Sequence, residues 1–206
     1  MIIFQRMVTF EGPVQEVTPW AMEITEKVNE TTEMEVSLWQ GLFGGPLGTL
    51  AWSSLVDNLT ALEASFDALG ADAGFVDLQA KARDWVSTPG EDRLLRMVHQ
   101  TGGEYRRPGG GAYAEVTTAV PADGKFGQVG TWAVDIADLH AEITDSSVLF
   151  CTSGYGDFGA VAWLGLYESA AAVDAGADAI SKDEDYVAAI DAGAGLFQEG
   201  SATRTL

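Results

Sequence analysis

The chain has 206 residues, of which 47% are apolar and 10% aromatic, and its formal net charge is −20 at pH 7. This apolar content excludes an acidic disordered tail, since such disorder requires low hydrophobicity together with high charge. The negative charge repels phosphate backbones and anionic lipids, so we expect neither nucleic acid nor membrane as a partner. No stretch approaches the roughly 20 continuous apolar residues of a spanning helix, and we expect a cytoplasmic protein.

The first half of the chain alternates between predicted strands and helices. Strands are predicted where β-branched and aromatic residues are concentrated, at 2–10, 34–42, 47–56 and 94–99. Helices are predicted where apolar residues recur every three or four positions, at 17–28, 59–69 and 75–85. Asn58 stands where it can cap the second of these helices. The order β-α-β-β-α-β is that of a ferredoxin-like unit.

The second half repeats the first. Trp52 and Trp163 stand in matching contexts 111 positions apart, and residues 48–85 share 10 identities over 38 positions with residues 159–196. Such self-similarity at a fixed period indicates a duplicated structural unit. The chain is therefore predicted to hold two copies of one ferredoxin-like unit rather than one large domain.

Upstream of this stretch the alignment shifts to an offset of 112, which places Trp20 on Trp132 and Val8 on Val120. The second copy then has predicted strands and helices at 112–120, 127–143, 147–153, 159–167 and 168–196. Its last strand falls at 201–206, where the chain stops, so we expect that strand to be short or missing. The predicted division is unit 1 at 1–101, a Gly- and Arg-containing linker at 102–111, and unit 2 at 112–206.

A tandem of this kind resembles the dimeric α+β barrel superfamily, which includes antibiotic-biosynthesis monooxygenases, EthD-like proteins and NIPSNAP-like proteins. The pattern of Trp39, Gly44-Gly45, Gly48, Trp52, Leu55 and Phe75 is most similar to NIPSNAP-like domains. The resemblance implies an α+β fold in which the two βαββαβ units pack sheet to sheet as an intramolecular pseudo-dimer. It also implies cofactor-independent oxygenation, isomerisation or cyclisation as the type of chemistry.

Two features that resemble known sites are interpreted structurally. The sequence from Gly154 to Gly159 has the pattern GxGxxG, but a dinucleotide site needs that pattern to open a helix. A predicted strand follows here, so we interpret the pattern as a hairpin turn. Cys151 has no histidine near it in the sequence, and we expect a buried structural thiol.

The two histidines give no metal-binding spacing, so no metal site and no cofactor are predicted. Haem remains as an alternative, because haem-degrading members of the superfamily use a histidine-containing pocket. His99, on the fourth strand and near Trp39 in sheet order, is the better candidate for such a pocket, with an ordinary sheet histidine as the alternative. His140 is interpreted as a half-buried helix residue.

Five further side chains are candidates for a ligand site. Arg6 and Arg96 fall on the first and fourth strands, where they could together hold an anionic group or instead pair with surface carboxylates. Trp39, Trp52 and Trp163 could line a pocket for a planar ligand or instead fill the core. Catalytic candidates are thus His99, Arg96 and Arg6, and ligand-binding candidates are the three tryptophans.

The function expected from these features is binding of a small apolar or aromatic molecule between sheet and helices, with catalysis left open. The alternative is a non-catalytic structural or interaction module. In that case, an incomplete last strand would leave a sheet edge able to recruit another chain, including a second copy of this one.

Overall fold

The computed structural model describes residues 1–87, 89–103, 107–155, 158–200 and 202–206. Its contacts divide the chain into two compact units, Met1–Leu95 and Arg96–Leu206, here called unit 1 and unit 2. The predicted linker at 102–111 stays a prediction, and its residues 104–106 lie outside the described ones. Within the described part of the chain, no helix combines the length and apolar character needed to cross a membrane.

Unit 1 has the predicted β-α-β-β-α-β order, with its second helical region divided into two helices. Its elements are β1 (Ile2–Thr9), α1 (Val14–Thr31), β2 (Ser37–Gln40), β3 (Thr49–Val56), α2 (Leu59–Ala71), α3 (Ala73–Lys81) and the start of β4 (Glu91–Gln100). The strands are hydrogen-bonded in the order β2-β3-β1-β4, with β1 and β2 both antiparallel to β3. This is the ferredoxin-like arrangement predicted from the sequence.

Side-chain alternation along β1 determines which face of this sheet meets the helices. Ile2, Phe4 and Phe10 pack into the apolar clusters formed with α1, α2 and α3. Because successive residues of a strand point to opposite faces, Arg6 and Val8 also point to the helical side. In the antiparallel register of β1 and β3, Arg6 stands directly opposite Trp52, so the side chain of Trp52 lies on the same face of the sheet.

Unit 2 repeats this architecture. It contains the end of β4, then β5 (Tyr113–Ala119), α4 (Phe126–Thr144), β6 (Ser147–Tyr155), β7 (Val161–Tyr167), α5 (Ala170–Ile180), α6 (Glu184–Ala192) and β8 (Ala202–Thr205). The strands after β4 are ordered β6-β7-β5-β8. The last strand is therefore formed but short, and it pairs with residues Glu115–Thr118 of β5.

Equivalent helices in the two units begin with the same kind of side-chain cap. The side chain of Asn58 accepts a hydrogen bond from the backbone N–H of Ala61, as predicted, and Ser169 does the same for Ala172. Asp183 caps α6 by accepting from the N–H of Tyr186. The prediction of one continuous helix over 168–196 was wrong, because this second cap starts a new helix after the turn at 181–183.

The offset between β1 and β5 also differs from the prediction. Val8 pairs with Leu50, and Ala119 pairs with Val161, the counterpart of Leu50 at an offset of 111. Val8 therefore corresponds to Ala119 and not to Val120. The extra residue of unit 2 lies between its first strand and first helix, because Trp20 and Trp132 are equivalent at an offset of 112.

Candidate functional site

Unit 1 contains a cavity of about 440 Å³ between the helical side of its sheet and the helices. Aromatic side chains from four elements or their ends line it: Phe10, Trp20, Trp52 and Phe75. They reach it because Phe10 and Trp52 point to the helical side of the sheet, while Trp20 and Phe75 come from α1 and α3. A concave, mostly aromatic cavity is typical of small-molecule sites.

The indole N–H groups of this pocket are already satisfied within the protein. Trp20 Nε1 donates to the carbonyl of Leu78 at 2.8 Å, and Trp52 Nε1 donates to Thr25 Oγ1 at 2.8 Å. The rings of Trp20 and Trp52 meet edge to face with centroids 6.2 Å apart. Because both rings are fixed by hydrogen bonds and by each other, they form a preorganised apolar wall.

An ion pair stands beside this apolar wall. The Arg6 guanidinium donates from Nε and Nη2 to the two carboxylate oxygens of Asp92, each at 2.7 Å. This bidentate bond is the chief cause of the raised pKa of Arg6. The guanidinium also lies 5.7 Å from the ring centre of Phe4 and 6.0 Å from that of Phe66. Both partners remain partly exposed, so the pair forms a polar rim.

Unit 2 has a smaller cavity, about 240 Å³, in the equivalent place. Trp132 Nε1 donates to the carbonyl of Ala189 at 2.7 Å, which repeats the bond of Trp20. Trp163 Nε1 donates directly to the carbonyl of Ala133 at 3.2 Å. The equivalent bond in unit 1 runs through the Thr25 hydroxyl, and Ala137 occupies that position in unit 2. The two pockets thus share one scaffold with different walls.

The pocket of unit 2 carries ionisable groups. His140 Nε2 lies 2.8 Å from the hydroxyl of Tyr167, and the His140 ring lies 6.1 Å from that of Tyr186. Burial lowers the pKa of His140. Burial, followed by the charge of Glu115, raises the pKa values of Tyr167 and Tyr186. At neutral pH the imidazole and both phenols are therefore uncharged.

The three tryptophans predicted from the sequence occupy different places. Trp52 lines the pocket of unit 1, and Trp163 lines that of unit 2. Trp39 pairs with Ala51 of β3, so it lies on the opposite face of the sheet from Trp52. It is buried there, and its Nε1 donates to Ser53 Oγ at 2.8 Å. Trp39 therefore does not line either cavity described here.

The three predicted catalytic candidates are not gathered at one pocket. Arg6 belongs to the rim of the unit 1 pocket, whereas Arg96 is exposed on the part of β4 that belongs to unit 2. His99 also belongs to unit 2, and its Nε2 lies 2.7 Å from Asp138 Oδ1 of α4. Neither His99 nor Arg96 lines the unit 2 pocket described above. Their catalytic roles stay predictions.

The haem alternative does not fit the side chains that line the two pockets. Haem in a pocket of this kind would need a histidine free to bind iron. No histidine lines the unit 1 pocket, and the one in unit 2, His140, is bonded through Nε2 to Tyr167. Among the described residues no three His, Cys, Asp or Glu side chains converge as a metal site.

The remaining sequence motifs are structural. Cys151 is fully buried, as predicted, and burial raises the pKa of its thiol to about 12. The GxGxxG pattern begins within the end of β6, and the element that follows its described residues is the antiparallel strand β7 and not a helix. Its residues 156 and 157 lie outside the described ones.

The polar groups of unit 2 are not among the candidates predicted from the sequence. His140 was interpreted as a helix residue, and Glu115, Tyr167 and Tyr186 were not singled out. His140, Tyr167 and Tyr186 each occupy a position that is apolar in unit 1, so the repeat alignment contained the signal for these three. Only the corrected β1 offset places Glu115 on Phe4, which is why the internal alignment failed to reveal it.

Solved structures share this fold over the full chain. A proposed monooxygenase from Fusobacterium nucleatum subsp. nucleatum matches with a TM-score of 0.76 and 9% identity, covering 100% of this chain and 90% of its own. An anthrone oxidase-like protein gives 0.70 and 14%, covering 99% and 89%. A proposed monooxygenase from Lactobacillus acidophilus gives 0.69 and 12%, covering 100% and 92%. The chain therefore has the dimeric α+β barrel fold. No family model and no curated protein matches the sequence.

Proposed function

We propose that the protein binds a small apolar or aromatic molecule in the pocket of unit 1. The observation that carries the proposal is the 440 Å³ cavity walled by Phe10, Trp20, Trp52 and Phe75. Burial of apolar surface is worth about 25 cal/mol per Å², so a planar ligand gains most of its affinity from these walls. Edge and face contacts between rings add to that gain.

The polar rim favours a ligand that carries an oxygen substituent. Arg6, Arg83 and Asp92 all line the cavity, and they supply the only charged side chains among its lining residues. A carbonyl or hydroxyl group at one end of the ligand can hydrogen-bond to this rim while the rings stay in the apolar part. A few polar groups that orient a mostly buried ligand are the usual arrangement in such sites.

Oxygenation of the bound molecule, without a cofactor, is the second candidate function. It is supported by the neighbours of the same fold, two of which are proposed monooxygenases and one an anthrone oxidase-like protein. Fold alone does not fix chemistry, so this candidate needs its own measurement. Consumption of dissolved oxygen on addition of anthrone, compared with anthrone in buffer, supports it, and an unchanged rate removes it.

The alternative of a non-catalytic interaction module is not supported by an uncovered edge at β5. It relied on a last strand too incomplete to cover β5, but β8 pairs with β5 over Glu115–Thr118. Self-association through another surface remains a proposal, to be tested by the mass of the protein in solution.

Anthrone is a suitable probe for the binding site, and quenching of tryptophan fluorescence reports its binding. Val28 lines the cavity from α1, so Val28→Phe should fill it and weaken binding at least about tenfold. Val76→Phe makes the same exchange at an exposed position of α3 and should bind as the wild type does. Gln79→Phe narrows the cavity from an exposed lining position, which keeps the test open if Val28→Phe does not fold. Wild-type affinity in a folded Val28→Phe and in Gln79→Phe would overturn the proposal.

A further inference from the structure

Four apolar positions of unit 1 carry ionisable side chains in unit 2. Phe4 pairs with Ser54, and Glu115 pairs with Gly165 at the same offset of 111, so Glu115 replaces Phe4. The other replacements are Val28 by His140, Val56 by Tyr167, and Phe75 by Tyr186. Three of the four new side chains, Glu115, His140 and Tyr186, line the unit 2 cavity. Scattered surface exchanges would not converge on one cavity in this way.

The new side chains come from four elements and form one polar wall. His140 of α4 meets Tyr167 of β7 through the 2.8 Å contact between Nε2 and the hydroxyl. The ring of Tyr186, from α6, lies 6.1 Å from the imidazole, and Glu115 reaches the cavity from β5. The rest of the lining is apolar apart from Thr117, and it includes Trp132 and Trp163.

At neutral pH this polar wall has a defined set of donors and acceptors. The imidazole and the two phenols are uncharged, since burial lowers the pKa of His140 and raises those of Tyr167 and Tyr186. Neutral imidazole offers one acceptor nitrogen and one N–H donor, and a phenol offers both functions in one hydroxyl. Glu115 is the only acidic or basic side chain other than His140 among the lining residues.

We propose that the unit 2 pocket is a second binding site, distinct from that of unit 1, which takes a small neutral phenol. The aromatic ring would lie against Trp132 and Trp163, and its hydroxyl would donate to Glu115 and accept from Tyr186. The 240 Å³ cavity is smaller than the range of roughly 300–1,000 Å³ that is usual for drug-sized ligands. A single-ring compound matches that volume.

The same groups discriminate against charged ligands. An anionic head group would face the Glu115 carboxylate without a cation among the lining residues to compensate it. An ammonium group would be attracted by Glu115, but it would lose its hydration against a largely apolar wall. A phenol O–H forms a charge-assisted hydrogen bond to the carboxylate without bringing a charge into the cavity.

4-Nitrophenol is a direct probe, because it titrates near neutrality and only its anion is yellow. Binding of the neutral form should lower the yellow absorbance at a fixed pH near neutrality when the protein is added in excess. Phenol should displace the probe, whereas benzoate and benzylamine should not. An unchanged or increased yellow absorbance on saturation, or displacement by benzoate or benzylamine at lower concentration than phenol, would overturn the proposal.

The residues of unit 1 supply variants that the scaffold already accommodates. His140→Val and Tyr186→Phe each introduce the residue that stands at the equivalent position of unit 1, Val28 and Phe75. Each substitution should weaken 4-nitrophenol binding about tenfold. Tyr155→Phe removes a hydroxyl from an exposed position of unit 2 and should have no effect. If His140→Val and Tyr186→Phe bind 4-nitrophenol as tightly as Tyr155→Phe does, the probe binds elsewhere and the proposed site is refuted.

The two proposals fail separately. Val28→Phe fills the unit 1 cavity and should leave 4-nitrophenol binding intact, whereas His140→Val should leave anthrone binding intact. Loss of 4-nitrophenol binding in Val28→Phe would show that the probe uses the unit 1 pocket, which would overturn the second site alone.

Discussion

Thr25 accounts for the difference between the hydrogen bonds of Trp52 in unit 1 and Trp163 in unit 2. Its substitution tests how these tryptophans are stabilised. Its hydroxyl accepts a hydrogen bond from Trp52 Nε1 at 2.8 Å and donates to the carbonyl of Ala21 at 2.6 Å. In unit 2 the equivalent residue is Ala137, and Trp163 bonds directly to the carbonyl of Ala133, the counterpart of Ala21. The hydroxyl therefore acts as an inserted link between an indole and a helix carbonyl.

Replacement by valine and by alanine should separate hydrogen bonding from packing. Thr25→Val keeps the shape of the side chain but places a methyl group between the indole N–H and the carbonyl of Ala21. A buried donor left without a partner costs about 1–3 kcal/mol. Thr25→Ala removes the Cγ2 methyl group, worth about 1 kcal/mol, together with the hydroxyl, but it opens the Ala21 carbonyl to Trp52, as in unit 2. We expect valine to destabilise the protein more than alanine does.

The free energy of unfolding can be compared by urea titration followed through circular dichroism and tryptophan fluorescence. At an unchanged slope, the midpoint should fall in the order wild type, Thr25→Ala, Thr25→Val. Thr25→Ser keeps the hydroxyl and serves as the control, with a midpoint at or above that of Thr25→Ala. A Thr25→Val protein more stable than Thr25→Ala would show that lost volume dominates, and the argument from the hydrogen bond would be wrong.

Three further predictions concern the scaffold. Asn58→Ala removes the cap of α2 and should lower the free energy of unfolding by about 1 kcal/mol, measured by urea titration with Asn58→Ser as the control. Gly193→Ala would bring a Cβ atom to 2.7 Å from the Trp132 ring and should lower the free energy of unfolding by about 1–3 kcal/mol. Gly130→Ala, with open space around it inside α4, should raise the free energy of unfolding by about 0.5–1 kcal/mol. Equal effects of the two substitutions would contradict the packing argument. The thiol of Cys151 should react with a disulfide reagent at pH 8 only after denaturant is added, because burial raises its pKa to about 12, and rapid reaction of the folded protein would refute this.

The fold was largely predictable because local signals agree with each other. Periodicity located the helices, the Asn58 cap was recognised correctly, and the two matching tryptophans revealed the duplication. The break between α5 and α6 is not predicted, since alanine-rich helical sequence stands on both sides of it. Its signal was Asp183, the counterpart of Asp72, which caps α3 by accepting from Phe75 N–H.

The pockets were harder to predict, because they depend on which face of a strand a residue occupies. The sequence grouped Trp39 with Trp52, but β2 and β3 pair so that Trp39 stands opposite Ala51 and faces away from the helices. A one-residue difference in register reverses the face of a whole strand. The same effect concealed Glu115, since an offset of 112 places it on Ile3 and outside the pocket.

The two units show which parts of this fold are scaffold and which are free to set specificity. The bond from Trp20 to the Leu78 carbonyl recurs as the bond from Trp132 to Ala189, so the attachment of the first helix to the last is kept. The side chains that face the cavities differ, and the differences change both volume and polarity. Because each unit retains its own scaffold, a change in the walls of one pocket need not disturb the other. Two copies of one unit can therefore hold chemically different ligands, and single-unit variants should alter one binding activity at a time.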